Sequence, residues 1–162
     1  MMNDRDVIIY TDGSSRGNPG PGGYGIVMEH CKTGFVKVHS KGFKLTTNNR
    51  MELMAVIEAL KKLKQTNLKI TVYTDSKYVV DSIEKKWLFK WEKIKFKNKK
   101  NVDLWLDFLS LNKKNNIKFH WIKGHNDHPQ NERCDKLAFN AASGENLFSD
   151  TGYEDNDLNT LF

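Results

Sequence analysis

The sequence predicts an α/β domain. One mixed five-stranded sheet, with strands 1–3 antiparallel and strands 1, 4 and 5 parallel, is flanked by helices. Three observations carry this expectation. Three strand-like runs near the start are separated only by turn residues, the pattern of an antiparallel meander. From Asn49 the apolar residues recur at helical spacing. Two later strand-like runs are each reached through a helical segment, which is how parallel strands are joined.

The elements follow in order. VIIYTD (7–12) is a β-branched run closed by turn residues, as in a buried strand. YGIVMEH (24–30) and FVKVHSKGFKL (35–45) are two more strands around a Lys-Thr-Gly turn. Leu53, Val56, Ile57, Leu60 and Lys64 mark an amphipathic helix over 49–64. LKITVYTD (68–75) is a fourth strand. Ser76 is placed to cap the helix that begins SKYVVDSIEKKW. NVDLWLDFLSLNKK (101–114) is a helix, IKFHWIKGH (117–125) a fifth strand running into a loop, and NERCDKLAFNAA (131–142) the last helix. No internal repeat or second domain is evident. The expected division is a domain over 1–144 and an acidic, flexible tail over 145–162.

At 162 residues the chain suits one domain. Cys31 and Cys134 form no CxxC pair and no zinc-spaced cluster, so two reduced thiols of a cytoplasmic protein are expected. The N-terminus has no apolar stretch of the signal-peptide kind, and no run approaches the ~18 apolar residues of a membrane span. The net charge of +6 is unevenly spread. Residues 143–162 hold five acids and no Lys or Arg, leaving +11 on residues 1–142. A basic body with an acidic tail points to a polyanionic partner, although a solvated lysine-rich surface fits the charge equally well.

Two strands end alike, in YTDGS (10–14) and YTDSK (73–77). If they are parallel neighbours, Asp12 and Asp75 stand side by side at the carboxyl edge of the sheet, where open α/β sheets place their ligands. Two adjacent carboxylates repel unless a proton or cation lies between them, and a hard oxygen site for Mg²⁺ answers that need. Asp capping the following turn is the plainer alternative. Glu52 in TTNNRMEL and Asp135 in NERCDKLA are further acids, each of which alone reads as a helix-dipole partner or a surface residue.

Together, TDGS around Asp12, NNRMEL around Glu52, TDS around Asp75 and GHNDHPQNERCDKLA around Asp135 resemble the motifs of type 1 ribonuclease H, the bacterial single-domain form. The likeness runs from Val7 to Ala142 with the motifs in order. It implies a ribonuclease H-like fold and a monomeric endonuclease that hydrolyses the RNA strand of RNA–DNA hybrids, leaving 3′-hydroxyl and 5′-phosphate ends. It implies two Mg²⁺ ions, for which Mn²⁺ substitutes, held by Asp12, Glu52, Asp75 and Asp135. His125 matches the family's mobile histidine, a proton shuttle or aid to product release. His128 falls in the structural turn before Pro129.

The resemblance also implies a substrate surface. Ser15, Asn18, Asn48 and Asn49 would line the groove near the RNA strand. Six of the eleven glycines fall within 10–25, and a glycine-cleared loop lets backbone approach the wide minor groove that displays 2′-hydroxyls. Thr47 and Asn101 match a pocket for a DNA phosphate. The basic residue often found two positions before that Thr is Leu45 here. Lys77 stands where a neutral side chain is frequent and would add a phosphate contact. Eight lysines lie between Lys85 and Lys100, interleaved with Trp87, Phe89, Trp91 and Phe96. That stretch matches the family's basic protrusion, which grips the DNA strand, but is several residues shorter. A non-catalytic hybrid-binding module, and another nuclease of the same fold, are the alternative readings.

Overall fold

The structure, a computed structural model, describes residues 3–124 and 128–159, with the side chains of 156–159 set aside. Its elements are β1 (Asp6–Ser15), β2 (Gly20–His30), β3 (Val36–Thr46), α1 (Asn48–Lys61), β4 (Lys69–Thr74), α2 (Lys77–Glu84), α3 (Trp87–Lys93), α4 (Val102–Asn112), β5 (Asn116–Trp121), α5 (Pro129–Ser143) and α6 (Thr151–Asn159). The sheet order is β3-β2-β1-β4-β5. The pairs β1–β2 and β2–β3 are antiparallel, and β1–β4 and β4–β5 are parallel, as the sequence predicts.

The two helices that matter most lie on opposite faces of the sheet. A Cβ at Gly22 would meet Thr46 and Met51 at the start of α1, whereas one at its neighbour Gly23 would meet Ala138 and Ala142 in α5. Successive strand residues point to opposite faces, so the alternation places one helix on each side. On the α1 face, Met51, Leu53, Val56, Ile57 and Leu60 are buried against β1 and β2 on one side and α4 on the other. A helix apolar around most of its circumference belongs inside a core. Trp105 and Phe108 of α4 are fully buried there, with the Trp91 ring 5.9 Å from that of Trp105 in an edge-on contact.

The glycine-rich stretch has a different cause from the one its sequence context predicts. Its glycines lie mainly in β1 and β2, and it is the protein's own helices that approach their backbone. A Cβ at Gly13 would fall 2.4 Å from the Glu52 nitrogen, and one at Gly25 2.3 Å from the Cys134 carbonyl oxygen. Only Gly17, at φ +90, has the left-handed conformation that a tight connection demands.

The tail also departs from expectation. Phe148 accepts from the Lys44 N–H at 2.8 Å and donates to the Gly42 carbonyl at 2.9 Å, pairing with β3. Asp150 is buried and α6 follows it. Composition fails here because one ion pair, formed across the chain, ties down an otherwise polar segment. Arg50 Nε and Nη2 donate to the two Asp150 oxygens at 2.7 and 2.9 Å, and the Thr46 hydroxyl donates to Asp150 Oδ2 at 2.7 Å. Helix α3 forms within the aromatic, lysine-rich insert, which the sequence reading leaves without a separate element.

Candidate active site

Parallel register assembles the site. Tyr10 of β1 pairs with Tyr73 of β4, and their rings stack at 5.3 Å. Asp12 and Asp75 each come two residues later, just past the last β1–β4 pair, so both stand at the carboxyl edge of that parallel pair while β1 runs on beside β2. Trp121 Nε1 donates to the Asp75 carbonyl oxygen at 2.9 Å and fixes the backbone at that point. Ser76 caps α2, its hydroxyl accepting from the Val79 N–H at 3.2 Å, as expected from its position.

The other two acids arrive on the helices admitted by glycine. Gly13 follows Asp12 and lets α1 close in, and its N–H donates to Glu52 Oε1 as well as to Asp12 Oδ1. Gly25 stands opposite Asp12 on β2, directly under the Cys134 carbonyl, which sets Asp135 beside Asp12. The Cys134 thiol donates to the Tyr10 carbonyl at 3.2 Å, and burial, the largest cause, pushes it up to about 12. It is a packed helix residue rather than a reactive thiol.

Carboxylate oxygens of Asp12, Glu52 and Asp75 all lie within 4.8 Å of one another. Asp12 and Glu52 are 5% and 4% exposed, so little water separates them. Burial is the largest cause raising both above the usual carboxylate range. Asp12 is pushed up further by the charges of Glu52 and Asp75 and by a hydrogen bond to Glu52. That hydrogen bond opposes the rise at Glu52, and the pair can share a proton when no cation is bound. Three clustered oxygens of this kind fit a hard divalent cation, which takes carboxylate ligands and removes the repulsion that now holds a proton. Asp12, Glu52, Asp75 and Asp135 line one polar cleft of about 380 Å³ with Asn48, Asn49, Lys77 and Tyr78.

Of the remaining expected residues, some line this cleft or a second one, and Ser15, Trp87 and Trp91 line neither. Lys77 holds its ammonium 4.8 Å over the Trp121 ring. Asn18 binds the start of α1, its Oδ1 accepting from the Asn48 N–H at 3.1 Å. Ser15 ends β1. Thr47 caps α1, accepting from the Arg50 N–H at 3.2 Å. Thr47, Asn18, Asn49 and Asn101 line a cleft of about 650 Å³ together with Lys99 and Lys100. Those two lysines supply the positive charge that Leu45 does not. Asn101 is fixed at both ends, accepting from Arg50 Nη1 at 3.4 Å and donating to the Tyr78 hydroxyl at 3.1 Å. Trp87 is exposed and carries Lys85 over its ring, whereas Trp91 is partly buried against the core with Lys99 over its outer face. His125 lies outside the described residues.

Arg50 was not visible as a site residue. It is 2% exposed and grips Asp103 through two hydrogen bonds, at 2.9 and 2.8 Å, in addition to Asp150. Residues two apart on a helix point about 200° apart. A single turn of α1 therefore sends Glu52 to one cleft and Arg50 to the other. The only sequence signal is two acids and an arginine far apart in the chain, which nothing in a single sequence pairs.

Known proteins align closely with this chain. The profile of the RNase H family matches residues 4–143. The ribonuclease H of Desulforamulus reducens is 51% identical over 150 residues, 90% of this chain and 92% of that protein. The ribonuclease H of Nitratidesulfovibrio vulgaris strain DP4 is 47% identical over 94% of this chain and 99% of its own. Among solved structures, LC9-RNase H1, described as a type 1 RNase H with the type 2 active-site motif, superposes with a TM-score of 0.77 at 32% identity, covering 96% of this chain and 82% of that one. LC11-RNase H1 in complex with an RNA/DNA hybrid superposes at 0.68 and 27% identity, over 85% of this chain and 96% of that one. With profile and relatives running through every element that carries a clustered carboxylate, the chain belongs to the RNase H family.

Proposed function

We propose that the protein hydrolyses the RNA strand of RNA–DNA hybrids, with divalent cations, leaving 3′-hydroxyl and 5′-phosphate ends. The carrying observation is the buried cluster of Asp12, Glu52 and Asp75 at the floor of an open polar cleft. A module that only binds nucleic acid has no need to crowd like charges that raise one another's pKa. The hybrid bound to LC11-RNase H1 supports the choice of substrate.

Asp12, Glu52, Asp75 and Asp135 would hold two Mg²⁺ ions, or Mn²⁺ in their place. Bound there, the ions would polarise a phosphoryl oxygen, generate a nucleophile from water and neutralise charge on the leaving oxygen. The water oxygen bonds to phosphorus, the bond from phosphorus to the 3′-oxygen breaks, and a proton reaches that 3′-oxygen. His125 is the residue proposed to move protons here, since an imidazole is the side chain whose ordinary titration falls near neutrality. Asn48 and Asn49 face the cleft with neutral amides suited to 2′-hydroxyls and base edges. Ser15 and Asn18 extend that surface. Lys77 adds a cation at its edge, and Thr47 and Asn101 take a DNA phosphate. Lys85, Trp87, Trp91 and the lysines up to Lys100 grip the DNA backbone beyond it. Two free thiols suit the cytoplasm, and the family resemblance implies a monomer. Among the described residues no helix is long and apolar enough to cross a membrane.

The test is a set of end-labelled duplexes of one sequence. RNA–DNA hybrid, duplex RNA and duplex DNA are each incubated with the protein and Mg²⁺. Cleavage confined to the hybrid is expected. Equal cleavage of duplex RNA would point instead to another nuclease of this fold.

A further inference from the structure

We infer that Tyr153 of the C-terminal segment is a substrate-binding residue, forming the third wall of the cleft that takes the backbone of the DNA strand. The inference rests on the hybrid-hydrolase reading for the identity of the strand, but its observations are independent. The family profile ends at residue 143 and does not itself describe the segment. Gly152 and Tyr153 nevertheless line the same 650 Å³ cleft as Thr47, Asn101, Lys99 and Lys100.

The segment is built into this cleft rather than lying across it. Asp150 is 3% exposed and carries the doubly hydrogen-bonded Arg50. The Tyr153 N–H returns to the Asp150 carbonyl at 3.0 Å, so the first turn of α6 starts from that buried anchor. A Cβ at Gly152 would fall 2.1 Å from Asp103 Oδ2 and 2.8 Å from Arg50 Nη2. Only glycine lets the chain pass this close, and the next side chain is Tyr153, half-buried at the cleft wall. The same Arg50 holds Asn101 on the opposite side. One guanidinium thus sets both walls.

A cleft with two lysines, a hydroxyl and a carboxamide suits a phosphodiester, and a tyrosine adds a flat apolar face for the sugar with a hydroxyl donor at its rim. The acidic residues that follow it, Glu154 and Asp155, keep the outer end of α6 from holding polyanion, which confines the contact to the Tyr153 position.

Opposite charges at position 153 test this in the full-length chain. Kd for an RNA–DNA hybrid is measured in chelator at low salt, for Tyr153→Lys and Tyr153→Glu. Contact with a phosphate backbone predicts that Glu raises Kd roughly tenfold and Lys lowers it a few-fold, the size of one charge acting on a close phosphate. A residue that serves only packing responds in the same direction to both substitutions, or to neither, and either result overturns the inference. A hybrid with neutral methylphosphonates in the DNA strand should erase the difference between the variants. If only neutralising the RNA strand erases it, the strand assignment is wrong. Wild type that binds hybrid with these responses but leaves it uncut in Mg²⁺ overturns the hydrolase reading alone.

Discussion

Asp12 concentrates the electrostatic strain of the molecule. At an effective dielectric of about 20, two carboxylate oxygens at the 4.8 Å limit of the cluster repel by roughly 3 kcal/mol before proton sharing reduces it. Asp12→Asn is nearly isosteric and removes one of these charges. It should abolish hybrid cleavage yet melt at or above wild type in chelator. The sign of the pH dependence follows from the raised pKa values of Asp12 and Glu52. A carboxyl raised in the folded state contributes stability that is fully present below its unfolded pKa. That contribution is lost as pH climbs through the folded pKa. In chelator the wild type should therefore lose melting temperature relative to Asp12→Asn as pH climbs from the usual carboxylate range toward the folded values, pushed up to about 8 for Glu52 and about 11 for Asp12. Mg²⁺ should narrow that gap by binding the ionised form. A wild type that gains on the variant as pH rises would count against a strained cluster. His125 makes a separate claim. His125→Ala should lower kcat by about 100-fold while leaving KM within a few-fold, as removal of a proton carrier does. An unchanged kcat would take the role from it.

The elements most easily misjudged are those held by single long-range contacts. The strands, α1, α2, α4 and α5 announce themselves through apolar period, and Ser76 marks the start of α2 by its capping chemistry. The tail carries no such period, since α6 reads Thr-Gly-Tyr-Glu-Asp-Asn-Asp-Leu-Asn. Its order comes from Asp150 meeting a buried Arg50, a partner that lies 100 residues away. Removing one member of a buried charge pair leaves the other uncompensated, at about 3–5 kcal/mol. Asp150→Ala should therefore lower unfolding free energy in urea by about 3 kcal/mol, tempered by the remaining Asp103 contact. A loss under roughly 0.5 kcal/mol, the range of an ordinary surface substitution, would return the tail to a loose appendage. The insert around α3 hides for another reason. Phe96 is buried and Lys95, Phe96 and Asn98 all have positive φ, so the chain turns too tightly for periodicity to register. Its lysines project outward all the same. Neutralising Lys93, Lys95, Lys97 and Lys99 should make the slope of log affinity against log salt shallower by up to about 0.9 per lost phosphate contact. Turnover at saturation should persist, and its collapse would show that the insert serves the reaction directly.

At the scale of the whole molecule, one sheet edge gathers what the chain scatters. The repeated Tyr-Thr-Asp exposes the Asp12–Asp75 pair in the sequence, because parallel register aligns the two tripeptides, Tyr10 against Tyr73, although β1 runs on to Ser15. Glu52 and Asp135 were legible only by likeness to a family. Their convergence depends on Gly13 and Gly25 admitting two helices, and the same glycines read equally well as a nucleic-acid loop until the packing is seen. In the cleft beyond them, Thr47 and Asn101 were legible by likeness to a family, but the part played by Arg50 and the C-terminal segment was not. The two clefts share Asn49, so a duplex crossing both would present one strand to the carboxylates and the other to Thr47, Asn101 and the lysines. This asymmetry is the central claim, and one strand-resolved measurement addresses it. A hybrid with different dyes on its RNA and DNA strands is incubated with wild type or Asp12→Asn, in Mg²⁺ or in chelator. The account predicts that only the RNA label shortens, only with wild type and only in Mg²⁺. Cutting of the DNA strand, or cleavage that persists in chelator or in Asp12→Asn, would contradict it.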